Sequence, residues 1–245
     1  MSQFDLSGKT VLVTGGAVRV GRYLALAAAE AGANVMIHYS HSEEQAAHTQ
    51  EAIRKLGVKC WTVRQDFSRS GEISAFMEHC WQISPVDVLV NNAAIFKPLT
   101  VDDTSLADWR EHMAINLDAP FLLTQKFLQL GQSDDRAGRV INVLDWRAMR
   151  PGKDHLPYTI AKAGLAALTQ SLAVAAASRV LVNGMALGAM LAPAGGVDEK
   201  TLFADYPIKR WIDPKELAQT FLFLAAGPEV ITGEIIHLDG GRHLT

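Results

Sequence analysis

The chain has 245 residues, 49% of them hydrophobic and 20% charged, with a formal net charge of −3. That is enough apolar material for a single α/β domain with a large core, and the charge offers no basic field to nucleic acid or to an anionic membrane. The polar start from Met1 to Lys9 lacks a signal-peptide core and no apolar run looks long enough for a bilayer, so the expectation is a cytoplasmic protein.

In chain order, Thr10 to Val13 reads as a buried strand, Thr14 to Gly21 as a glycine turn, and the following Ala/Leu run to about Ala31 as a helix closed by Gly32. Asn34 to His38 is a second strand. The next helix is expected to start at Ser42, with Gln45 completing a capping box, and to end at Gly57. Lys59 to Gln65 gives a third strand ending at Asp66, Ser70 to Trp81 a helix, and Val86 to Val90 a fourth strand running into Asn91-Asn92-Ala93-Ala94. Cys60 and Cys80 fall on that third strand and that helix without metal-ligand spacing, and read as free thiols without chemistry.

The second half repeats the alternation. Leu106 to Leu130 is predicted helical with Asn116 inside it, Arg139 to Val143 a strand, Tyr158 to Ala177 a helix and Val180 to Met185 a strand. Leu187-Gly188 leads into a loop of small residues from Ala189 to about Pro207, and a loop of that length is usually a lid or a binding loop. Asp213-Pro214 carries the cap-and-proline signature of a helix start, and Ile235 to Leu238 is a last strand before Asp239-Gly240-Gly241-Arg242. Such alternation predicts right-handed crossovers and one Rossmann-type, doubly wound parallel sheet with helices on both faces, spanning 1–245. Ligands bind such sheets at the strands' carboxyl ends, where the glycine turn, His38, Asp66 and Asn92 all fall.

Tyr158 and Lys162 are four apart on a predicted helix and therefore share a face. An ammonium beside a phenol favours the phenolate, so Tyr158 is expected to titrate below the usual phenol value and to donate a proton near neutral pH. As an isolated pair they would more often be idle. Together, however, Thr14-Gly15 with Gly21, Asn91-Asn92-Ala93-Ala94, Asn116, Tyr158-x-x-x-Lys162 and Asp239-Gly240-Gly241 resemble the short-chain dehydrogenase/reductase family over nearly the whole chain. Arg19 in place of the usual glycine, Asp145 in place of the usual serine thirteen residues before the tyrosine, and the stretch His38-Tyr39-Ser40-His41-Ser42 resemble its pteridine reductase branch. The Asp-to-Tyr spacing, His155 three residues before Tyr158 and the Gly240-Gly241-Arg242-His243-Leu244 end resemble the bacterial dihydromonapterin reductases.

That resemblance implies an NADPH-binding set of Gly15, Val18, Arg19, Val20, His38, Tyr39, Ser40, His41, Ser42, Asp66, Phe67, Asn92, Ala93, Ala94, Tyr158, Lys162 and Gly188. Asp66 would meet the adenine, Lys162 the nicotinamide ribose, and Asn116 a water leading from Lys162 to solvent. It also implies a homotetramer or homodimer formed through the helices around Asn116 and after Tyr158. The residues point the same way on cofactor choice. No acid ends the second strand to hold a ribose 2′-hydroxyl, whereas Arg19 and the donors of His38, Ser40, His41 and Ser42 suit a 2′-phosphate.

Asp145 shifts the expected substrate. An ionised carboxylate is acceptor-only and repels a developing oxyanion, which serves ketone reduction poorly. A dihydropterin reduced at a carbon–nitrogen double bond instead needs a proton at nitrogen and offers N–H donors, so the expectation is that Asp145 anchors those donors or, if burial raises its pKa, takes part in proton delivery. The expected substrate set is Arg19, Phe96, Asp145 and Tyr158, with Phe96 stacking on the pterin and Asp145, Tyr158, Lys162 and Asn116 catalytic; no metal is expected. The rival expectations are a 3-oxoacyl carbonyl reductase and a non-catalytic NADP-binding sensor.

Overall fold

Seven short runs of β-branched and aliphatic residues become strands: β1 (Thr10–Val13), β2 (Asn34–Tyr39), β3 (Cys60–Arg64), β4 (Val88–Asn91), β5 (Gly138–Asp145), β6 (Val180–Leu187) and β7 (Ile235–Leu238). The computed structural model describes residues 4–133, 137–177, 179–192 and 196–245. The strands form one sheet in the order β3-β2-β1-β4-β5-β6-β7, every pair parallel. Chain direction across the sheet reverses between β1 and β4, whose carboxyl ends open the crevice that such a switch point creates.

The helices are α1 (Arg19–Glu30), α2 (Glu43–Arg54), α3 (Ile73–Ile83), α4 (Leu106–Met113), α5 (Ala119–Ser133), α6 (Leu156–Ala176), α7 (Glu199–Leu202) and α8 (Pro214–Ala226). Leu24, Ile53, Leu217 and Phe221 bring α1, α2 and α8 onto one face of the sheet, while Ile73, Met77, Leu123 and Phe127 bring α3 and α5 onto the other. Helix α1 stops where Gly32 adopts φ +90°, and α8 starts at Asp213 with a complete capping box to Glu216.

Several expectations needed revision. Ser42 does cap α2 by position, but its side chain makes no capping bond and the box with Gln45 does not form. The long helix around Asn116 is not continuous: five residues, Ala114–Asp118, form a π turn between α4 and α5. The loop 189–207 contains α7, so it is not structureless; its residues 193–195, like residues 1–3 of the N-terminal stretch, lie outside the described residues. Helix α6 is, by length and composition alone, long and apolar enough to cross a membrane, contrary to expectation. Much of it is nonetheless buried within the fold, and it carries the buried Lys162. Cys60 and Cys80 are buried free thiols whose pKa values burial pushes up to about 12, consistent with their having no chemistry.

Candidate active site

The glycine turn is fixed by what surrounds it. Asn92 donates from Nδ2 to the carbonyls of Thr14 (2.8 Å) and Gly15 (3.2 Å), and Thr14 Oγ1 accepts from the backbone N–H groups of Asn92 and Ala93. Gly15 has φ +61°, and a Cβ on Gly21 would lie 2.1 Å from the Gly15 carbonyl oxygen, so no other residue fits there. Helix α1 begins above this turn with no side-chain cap and no acid in its first turn. Its first N–H groups are thus free to meet an anion.

Arg19 explains its own rarity. Its φ is +50°, a left-handed conformation that glycine tolerates and that an arginine adopts only at some cost. From there its Nη2 donates to the Leu191 carbonyl (3.3 Å), so the guanidinium spans from the glycine turn to the start of the 189–207 loop.

His38 corrects the sequence reading. The ring is 2% exposed, stacks on Phe67 at 4.0 Å, accepts at Nδ1 from the Gly15 N–H (3.1 Å) and therefore donates from Nε2 to the Gln65 carbonyl (2.9 Å). Both nitrogens are spent, and burial drives the pKa down to about 4. His38 is a neutral strut between β2, the glycine turn and the end of β3, and it gives no donor to a 2′-phosphate. His41, Ser40, Ser42 and Arg19 remain available on the cleft. Phe67 is likewise buried behind His38, and Asp66 is held below the usual carboxylate range by the Ser68 N–H and hydroxyl.

At the carboxyl ends of β4 and β5 the groups become charged. Tyr158, in the first turn of α6, donates its hydroxyl to Asp145 Oδ2 at 3.2 Å. Asp145 Oδ1 accepts from the Arg147 N–H at 2.9 Å. Lys162 Nζ is buried, lies 5.8 Å from the Tyr158 ring centroid and donates to the Val143 carbonyl at 2.5 Å. The expected lowering of the Tyr158 pKa is therefore reversed: burial, then the Asp145 charge and hydrogen bond, hold it well above the ordinary phenol value. Burial also raises Asp145 and pulls Lys162 down to about 8. Buried ionisable groups displaced in this way mark functional sites.

Phe96 is 52% exposed and no core residue. One face stacks on His155 (4.0 Å, 11° between planes) and its ring meets Tyr158 edge-on at 4.6 Å. Asn116, fully buried in the π turn, donates to the Ile95 carbonyl and accepts from the Ile95 N–H. It staples the segment before Phe96, a role the sequence did not indicate; alone among the expected site residues it does not line the cleft.

All the other expected residues, from Gly15, Val18 and Val20 through Tyr39, Ala93 and Ala94 to Gly188, line one cleft of about 770 Å³. Trp146, Arg147, His155 and Tyr206 line it too and were not assigned a role in advance. The sequence signal for Arg147 was slight, an arginine two residues beyond a strand-end acid. The long cleft, the glycine cradle, the uncapped helix start and the absence of an acid after β2 fit a dinucleotide bearing a 2′-phosphate.

Comparison with known proteins agrees. A family model described as Enoyl-(Acyl carrier protein) reductase matches residues 16–243. The chain is 34% identical over 246 residues to 3-oxoacyl-[acyl-carrier-protein] reductase FabG of Aquifex aeolicus, covering 98% of this chain and 99% of that protein. Among solved structures, FolM alternative dihydrofolate reductase 1 of Brucella canis, complexed with NADP, superposes with a TM-score of 0.90 at 30% identity, over 98% of this chain and 96% of that one. RhlG of Pseudomonas aeruginosa, in an NADP active-site complex, gives 0.89 at 26% identity and complete coverage of both chains.

Proposed function

The chain belongs to the short-chain dehydrogenase/reductase family, and from that premise we propose that it reduces a dihydropterin to the tetrahydro form with NADPH. The carrying observation is the Asp145–Tyr158 contact, a carboxyl group accepting the hydrogen bond of the phenol that lines the cleft. An imine nitrogen is far more basic than a carbonyl oxygen, so its reduction passes through a cationic stage that a carboxylate stabilises and a ketone's oxyanion does not reach.

NADPH, when bound, supplies the hydride. Gly15, Gly21 and the start of α1 would hold its pyrophosphate, and Arg19 with Ser40, His41 and Ser42 would hold its 2′-phosphate. Tyr158 keeps its proton at neutral pH because its pKa is raised, and passes it to the ring nitrogen. Asp145 accepts that hydroxyl at Oδ2, and burial raises its pKa towards the range in which it can return a proton to the phenolate. Phe96 gives the flat ring an aromatic platform at the cleft mouth. The water relay through Asn116 and assembly as a dimer or tetramer through α4, α5 and α6 belong to the same reading. Exposed Phe121, Ile160 and Val174 on these helices are in keeping with the latter.

The second reading, 3-oxoacyl reduction, draws on the likeness to the Aquifex protein. NADPH consumption with dihydrobiopterin, dihydromonapterin, dihydrofolate and an acetoacetyl thioester separates the two. We expect turnover of a dihydropterin, and a loss on the order of 10²-fold in Asp145→Ser. Full pterin activity in that variant, or turnover of the thioester alone, would defeat the proposal, and NADPH binding without any turnover would leave the sensor reading.

A further inference from the structure

Arg147 follows Asp145 by two residues in a single 3-10 turn, Trp146–Ala148, at the end of β5. Its backbone N–H donates to Asp145 Oδ1 and its Nη1 stands 3.8 Å from the same oxygen, while Nη2 stands 3.3 Å from Asp154 Oδ2. The guanidinium lies over the Trp146 ring at 4.6 Å and over Phe96 at 5.6 Å, with its side chain only 18% exposed. Nε is buried without a partner, a cost that a solvated arginine would not bear. The cation is thus held beside one oxygen of Asp145, while the other oxygen receives the Tyr158 hydroxyl.

We propose that Arg147 is the positioning residue of this site, fixing which Asp145 oxygen faces Tyr158 and setting the pH range over which the pair exchanges its proton. The geometry stands apart from the pterin assignment, and only the choice of substrate in the test rests on it. Burial alone would keep Asp145 protonated over a wide range. What opposes burial is, in order, the Arg147 N–H, the Arg147 charge, Lys162 and the Tyr158 hydrogen bond, the last two from α6. From the loop beyond β6, Tyr206 also faces Asp145, and Asp154 competes for the same guanidinium. A planar guanidinium fork lying over Trp146, near Phe96 and tied to Asp154, suits this task, since these contacts keep it from swinging away.

If Arg147 merely packed against Trp146 and Phe96, its loss would depress turnover equally at every pH. The test is to follow the Asp145 carboxyl directly in the full-length protein by carbon NMR with aspartate labelled at Cγ, the resonance being identified by its absence in Asp145→Asn. In Arg147→Gln we expect the Asp145 titration to move to higher pH by about one unit, with Arg147→Lys recovering at least half of that. The corresponding limb of kcat/KM for a dihydropterin should move in the same direction. An unmoved titration in Arg147→Gln, or a lysine variant displaced as far as the glutamine variant, overturns the proposal. Should Arg147→Gln fail to fold, Asp154→Asn decides: it releases the guanidinium to Asp145, and the titration must move to lower pH, an unmoved or rising value being the adverse result. A titration that shifts as expected in a protein that turns over no dihydropterin would refute the proposed function and leave this assignment standing.

Discussion

The two walls of the cleft are built on opposite principles. On the cofactor side, Thr14, Gly15, His38 and Asn92 form a closed set of neutral hydrogen bonds, most of them to backbone, and His38 is kept uncharged by burial. On the substrate side, Asp145, Arg147, Tyr158 and Lys162 bring ionisable groups together, flanked by stacked Phe96, His155 and Trp146. The first wall must let backbone approach a phosphate, which is a problem of shape. The second must hold protons away from their ordinary values, which is a problem of charge.

The comparison breaks most sharply on a pair of variants. Tyr158→Phe should lower kcat by about 10²–10⁴-fold, the usual worth of a positioned proton donor, while weakening NADPH far less, since the glycine turn is untouched. Gly21→Ala should do the reverse in kind, because its Cβ would meet the Gly15 carbonyl oxygen at 2.1 Å and Asn92 Nδ2 at 2.6 Å. Cofactor binding measured by NADPH fluorescence should collapse there. If Tyr158→Phe also lost NADPH binding, the division of labour between the walls would be wrong.

A smaller effect probes the neutral wall through pH. His38 has a folded pKa near 4 against an ordinary 6.5, so the unfolded chain binds the extra proton between those values. Stability that is fully present above about pH 6.5 is therefore lost as pH falls towards 4, by about 3 kcal/mol at the limit, since one pKa unit corresponds to roughly 1.4 kcal/mol. Urea unfolding at pH 7 and pH 5 should show a wild-type loss that is clearly smaller in His38→Gln, whose side chain does not titrate. An identical loss in both proteins would mean that acid sensitivity resides elsewhere.

How far each wall was legible in the sequence follows from the same contrast. Positive φ and close approach leave glycine as the residue of choice at Gly15 and Gly21, and the alternation of seven strands with the long helices could be read in advance, whereas α7 and the break between α4 and α5 could not. The motif Tyr158-x-x-x-Lys162 was legible as a helical spacing, but the sign of the Tyr158 shift was not. It depends on how deeply the hydroxyl is buried and on whether Asp145 or Lys162 stands beside it, and the ammonium turns instead to the Val143 carbonyl. His38 was misread for a related reason: a polar residue at a strand end looks available, and only the tertiary partners Gly15 and Gln65 show that it is spent. The π turn that buries Asn116 has no local sequence marker, since it keeps the apolar pattern of an ordinary helix.

The mildest prediction concerns the outer rim of the charged wall. Arg242 lies over the Trp146 ring at 4.4 Å, on the ring that Arg147 also engages, and over Tyr206 at 5.6 Å. It reaches Asp205 at 3.3 Å and the Thr245 carbonyl at 2.6 Å, while Thr245 Oγ1 donates to the Asp205 carbonyl. The C-terminal turn thus ties the far end of the 189–207 loop to the residue between Asp145 and Arg147. Partly exposed cation–π contacts contribute about 0.5–1 kcal/mol each, so Arg242→Ala should raise KM for the dihydropterin by about 3–10-fold with kcat nearly unchanged. NADPH affinity should change far less, because the Arg242 guanidinium itself contacts Trp146, Tyr206, Asp205 and Thr245 rather than the glycine turn. A fall in kcat with KM constant would instead place Arg242 in the charge network of Asp145, and the charged wall would then extend to the chain's last residues.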